Sequence, residues 1–130
     1  MNSITQKSAA YAILKGINSL PIDGDVYLDR VRPLDSQKQD IVVGSLQVNG
    51  NRFKMSTVMI DCFVPDLYTN GHYVPNYSKL TQLADLLQPV FDKKYYQNIY
   101  FEVEGVTDYK IENRNEHAVV IRLLTRTTKK

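Results

Sequence analysis

Between residues 80 and 91 the apolar side chains fall at Leu80, Leu83, Ala84, Leu87 and Phe91, a single stripe at helical spacing. A helix with one dry face is marginal in water by itself and must lay that face on another apolar surface. The rest of the chain says what kind of surface this is. Ile99, Phe101 and Val103 alternate with Tyr100, Glu102 and Glu104, and Val119, Ile121 and Leu123 oppose Val120, Arg122 and Leu124. A period of two is that of strands with one face turned to a core.

The same reading covers the remainder. Ala10, Ile13, Leu14, Ile17 and Leu20 recur at helical intervals behind Ser3 and Gln6, which have the spacing of a capping box. They predict a first helix from about Ile4 to about Asn18, which Gly16 can end early and which Pro21 forbids to continue. After the Asp23-Gly24-Asp25 turn comes a short strand through Val26, Leu28 and Arg30, then a polar loop over 33–40 and a strand over 41–48. Asn49-Gly50-Asn51 is hairpin chemistry, because Asn and Gly tolerate positive φ. The returning arm puts Phe53 and Met55 on one face but Val58, Ile60, Cys62 and Val64 on the other, so a bulge or sharp twist is expected near Ser56. Residues 65–77 read as a loop rich in turn formers, with Asn76 or Ser78 able to cap the second helix and Pro89 expected to kink or end it. A turn over 113–115 leads to the last strand, 118–127.

The order is α-β-β-β-α-β-β, and 130 residues suit one core. The expected fold is α+β: a mainly antiparallel sheet of about five strands with two helices packed on one face, in a single domain over residues 1–130.

Composition narrows function mostly by exclusion. No window approaches the ~20 apolar residues that span a bilayer, and the first 20 residues lack a signal peptide's apolar stretch, so the chain is expected to stay in the cytosol. Cys62 is the only cysteine, which rules out an internal disulfide. The formal charge of +2 does not by itself imply a polyanion partner, although residues 110–130 hold six basic residues against two acidic ones.

The residues offer no chemistry at a recognisable spacing. His72 and His117 read as a loop and a strand-start residue, Cys62 as a small core hydrophobe, Asp61 as solvated on the opposite face. Glu102 and Glu104 would stand ~7 Å apart on one strand face, a spacing used in glycoside hydrolysis, but no aromatic sugar platform accompanies them. Asp23-Gly24-Asp25 lacks the remaining ligands of a calcium loop, and the glycines form no phosphate loop. No catalytic residue, cofactor site or metal site is therefore expected, and the chain reads as a binding protein without enzymatic activity.

What remains unusual is the nine tyrosines, of which Tyr68, Tyr73 and Tyr77 share the 65–77 loop. Exposed tyrosine is typical of protein interfaces, since it offers apolar area at low entropic cost plus a hydroxyl. The rings could equally act as a lid on the core.

The element order, with a long bulged hairpin between two helices and two closing strands, resembles the tail terminator (tail-completion) proteins of long-tailed phages. Ser36-Gln37-Lys38-Gln39-Asp40-Ile41-Val42-Val43, Val64-Pro65-Asp66-Leu67 and Pro75-Asn76 are also similar to stretches of prophage proteins from tail modules. The resemblance spans nearly the whole chain and carries no catalytic residues. It implies a homo-oligomeric ring, a hexamer, that sits on the tail tube, stops its growth and offers a docking face to the head connector. Its partners would be further copies of itself, the tail-tube protein and the head-connector protein, first in the cytoplasm and finally in the virion tail. A head-to-tail interface that closes on itself is needed, and the strand edge bearing Ile41 and Val43 could pair between subunits. The competing class is a small nucleic-acid-associated protein using Arg114, Arg122, Arg126, Lys129 and Lys130.

Overall fold

The computed structural model describes residues 3–29, 31–46 and 55–127, with side chains from Gln6 onward. Among these the elements are α1 (Ser3–Lys15), β1 (Val26–Leu28), β2 (Asp40–Leu46), β3 (Met55–Pro65), β4 (Leu67–Thr69), β5 (His72–Val74), α2 (Tyr77–Phe91), β6 (Lys94–Tyr96), β7 (Ile99–Lys110) and β8 (Glu116–Thr127). Six strands form one sheet in the order β1-β2-β3-β8-β7-β6, while β4 and β5 make a separate two-stranded ribbon. Every sheet neighbour is antiparallel except β1 against β2. The fold is α+β, as expected, with six sheet strands in place of about five.

Alternation decides which face is covered. Ile41 and Val43 of β2, Val58, Ile60, Cys62 and Val64 of β3, Val119, Ile121 and Leu123 of β8 and Phe101 of β7 form one buried cluster with Ala10 and Leu14 of α1. The α2 stripe of Leu80, Leu83, Ala84, Leu87 and Phe91 closes the same cluster. Fully burying such side chains contributes about 1.5–3 kcal/mol each. Helix α1 lies over β1, β2 and β3, and α2 over β3, β7 and β8, so neighbouring parts of one face share the two helices.

The helix ends follow local chemistry. Asn76 caps α2, its side chain accepting from the Lys79 amide at 3.2 Å, which settles the choice between Asn76 and Ser78. Pro89 neither ends nor precedes the break directly: α2 runs on to Phe91. The missing proline N–H falls in the last turn, where Asp92 N still reaches Gln88 O at 2.9 Å and the Tyr96 hydroxyl donates to Val90 O at 2.8 Å. Helix α1 stops at Lys15, so Gly16 does end it early, and Gln6 is fully buried. The side chain of Ser3, Arg30, the Asn49-Gly50-Asn51 turn and Phe53 lie outside the described residues.

Two expectations are corrected. The β2–β3 register runs without a shift from Asp40↔Phe63 to Leu46↔Thr57, and Ser56 points inward in phase with Val58, so no bulge is needed near Ser56. The irregularity sits in β7, between Val103 and Gly105, where Glu104 is the extra residue and the inward phase passes from Val103 to Val106. Glu102 and Glu104 are therefore not regular neighbours on one face. The second correction is the 65–77 loop, which contains the β4–β5 hairpin. Asn70 (φ 50°) and Gly71 (φ 80°) make its two-residue turn, the conformation that Asn-Gly favours because both central residues need positive φ.

Candidate interface

The β4–β5 ribbon turns large apolar side chains to solvent. Tyr68 and Tyr73 pair directly across it with ring centroids 4.9 Å apart, edge to face, and they are 66% and 53% exposed. Leu67 and Tyr77, the latter at the first residue of α2, are also exposed. All three tyrosines are more than half exposed, so none is shut into the core.

The ribbon is anchored at its base. Asp66 N donates to Asn115 O at 2.9 Å, and its carboxylate sits 2.8 Å from His117 Nδ1. A cleft of about 370 Å³ opens here between Pro65, Asp66 and Tyr73 on one side and Asn113, Arg114, Asn115 and Glu116 on the other, with Gln37 at its edge.

Beside it lies a buried charge cluster. Arg32 donates to Asp40 Oδ2 at 2.8 Å through Nε and to Glu116 Oε2 at 2.6 Å through Nη2, and both carboxylates are almost fully buried. The Arg32 guanidinium also stacks 4.3 Å from the Phe63 ring centroid. Ser36 Oγ donates to Asp40 Oδ2 at 2.5 Å and Asp25 N donates to Oδ1 at 3.1 Å. Arg114 approaches Glu116 at 3.4 Å and donates to the carbonyls of Leu34 and Ser36. Two cations and two carboxylates thus balance. Burial alone would raise the Asp40 carboxyl, but the Ser36 and Arg32 hydrogen bonds and the Asp25 amide outweigh it and hold Asp40 below the ordinary aspartate value. Burial likewise opposes the Arg32 charge, and Glu116 and Asp40 more than restore it. Gly24 is required by this cluster: a Cβ there would stand 1.9 Å from Asp40 Oδ1 and 2.5 Å from Gln39 O.

The cluster straps residues 31–39 across the end of the sheet, and the strap presents Leu34, 95% exposed, and Val31 to solvent.

Ile41 and Val43, expected on a pairing edge, are instead fully buried. Over residues 41–43 β2 is paired on both sides, with β1 and with β3, so that stretch offers no free edge. The outer strands of the sheet are β1 and β6. The short strand β1 supplied this cover, and its three residues gave no sign in the sequence of running parallel to β2.

Reactive side chains are placed away from one another. The Cys62 thiol is fully buried, and burial pushes its pKa far up, the state of a core residue. His72 lies exposed on the ribbon. His117 gains a carboxylate partner 51 positions away, which no local spacing could reveal, but no serine, threonine, cysteine or lysine lines the cleft beside it. Among the described residues no group of three or more His, Cys, Asp or Glu could hold a metal ion, and no helix is long and apolar enough to cross a membrane.

No protein-family model matches the chain, and no curated protein matches it in sequence.

Proposed function

We propose that the chain is a structural protein of phage tail assembly, a ring-forming tail terminator that caps the tail tube and docks to the head connector, and that it has no catalytic role. The observation that carries this reading is the anchored β4–β5 ribbon with Leu67, Tyr68 and Tyr73 turned to solvent. It is a fixed apolar contact element, and the rest of the reading rests on the resemblance in element order and short motifs. The nucleic-acid alternative has less support: Arg114 is occupied by Leu34, Ser36 and Glu116, and Arg126 stacks over the Tyr100 ring at 4.9 Å.

Replacing Tyr68, Tyr73 and Tyr77 together by serine is expected to leave the monomer folded and to weaken assembly, since truncating a buried interfacial aromatic typically costs about 2 kcal/mol or more. Sedimentation velocity with and without purified tail tubes reads both arms. Unchanged association with tubes removes the ribbon from the interface.

A further inference from the structure

The sheet face opposite the helices carries a hollow of about 560 Å³, lined by Met59, Asp61, Glu104, Gly105, Thr107, Tyr109, Val120 and Arg122. Its shape comes from the sequence across the strands. One row runs Gly44, Met59, Arg122, Gly105 and the next Val42, Asp61, Val120, Thr107. Glycine stands at both ends of the first row, and a Cβ at either glycine would meet nothing within 4 Å. The centre of this face is therefore low, with Tyr109 forming one wall.

Asp61 is set into the floor. Tyr109 donates its hydroxyl to Asp61 Oδ2 at 3.3 Å, while Oδ1 is buried and has no hydrogen-bond partner among the described residues. Asp61 was expected to be solvated; it does point away from the core, but it is only partly exposed and its Oδ1 is closed off from solvent. Burial pushes its carboxyl above the ordinary aspartate value, against the opposing pull of Tyr109, and burial followed by the Asp61 charge pushes Tyr109 up to about 12. Arg122 shares the hollow but forms no ion pair with Asp61 among the described residues. Glu104, placed by the β7 bulge, adds a second carboxylate to the lining, whose formal charge is negative.

A half-buried hollow whose lining is net negative favours a cationic N–H, and charged hydrogen bonds are the stronger kind. We infer that this hollow is a receptor for a lysine or arginine side chain of a partner protein, whose cationic head meets the Asp61 and Glu104 carboxylates that line it and whose aliphatic stem lies along Met59 and Val120. A protein source fits better than a free amine because the same sheet face also exposes apolar side chains farther along it, Leu46 of β2 and Met55 of β3. A side chain delivered by a protein covers that surface as well. The inference does not depend on the tail-assembly reading.

The test is an NMR titration of the intact chain with N-acetyl-lysine amide and N-acetyl-arginine amide, with N-acetyl-norleucine amide as the uncharged control and n-butylammonium as the free amine. The expected result is saturable shift changes at Asp61, Thr107, Tyr109 and Val120 with a cationic probe, weakened at least about tenfold in Asp61→Asn and absent with norleucine. That factor corresponds to about 1.4 kcal/mol. Asp61→Asn keeps the side-chain shape, and its unfolding midpoint checks that the fold survives. Shift changes that persist in Asp61→Asn, or that norleucine amide reproduces, overturn the site. Binding of n-butylammonium comparable to that of N-acetyl-lysine amide is expected, because head and stem alone fill the hollow, and the absence of saturable shift changes with every cationic probe overturns the site.

Discussion

Replacing Arg32 by methionine is expected to destabilise the chain by about 3–5 kcal/mol at pH 7, the usual consequence of removing one partner from a buried ion pair. The methionine keeps much of the stem's volume, so the loss isolates the charge. Asp40 and Glu116, 1% and 2% exposed at their side chains, would be left without their main cation. The strap over 31–39 would lose its inner anchor with them. The pH dependence gives the mechanism a second check. Asp40 has a depressed carboxyl, so its contribution is present above the ordinary aspartate pKa of 3.8 and is lost as pH falls through the lower folded value. In Arg32→Met the buried Asp40 carboxylate, without its guanidinium, is instead relieved by protonation. The gap between the two proteins should therefore be widest near neutrality and shrink toward pH 3. Urea unfolding at both pH values measures it, and a gap under about 1 kcal/mol at pH 7 would show that the cluster is open to solvent.

Phe101→Ala is the other large effect, at about 3–5 kcal/mol. The ring is fully buried and meets Phe91 of α2 at 5.4 Å and Tyr96 of β6 at 5.9 Å, both edge to face. It ties the end of the second helix to two strands, so the cavity left by its removal opens between three elements with little means of collapse. Tyr95→Ala is the matched control: that ring is 60% exposed and contacts only Tyr100 among the aromatic pairs, at 4.9 Å. It should cost well under half as much. Equal losses in the two variants would mean that α2 does not pack on β7 as described.

The elements visible in the sequence are those whose burial is one-sided. The α2 stripe, the inward phase of β3 from Val58 to Val64 and that of β8 from Val119 to Leu123 were legible because each apolar position faces one helix layer. Three of the short strands were not. β4, β5 and β6 have three residues each and bury little, so no alternation marks them; only Asn70-Gly71 signalled a hairpin, hidden among other turn formers. The β7 bulge was missed because the inward residues Val103 and Val106 lie on either side of Glu104, and the slip was sought instead at Ser56, a polar residue that turned out to be buried. The three tyrosines were found from composition and lie on the surface, whereas the orphaned oxygen of Asp61 and the Arg32 cluster depend on pairings 84 residues apart and less, across strands, and have no signature along the chain.

Whether the chain ends tail-tube growth as the proposed ring on the tube is decided by deleting its gene from a phage that encodes it and imaging the lysate by electron microscopy. A ring whose contacts mature only on the tube can leave a monomer in free solution, so the outcome on tails decides more than the oligomeric state of the purified chain. The account predicts tubes of abnormal or unregulated length beside filled heads that fail to join. Normal tails of uniform length attached to heads would contradict it.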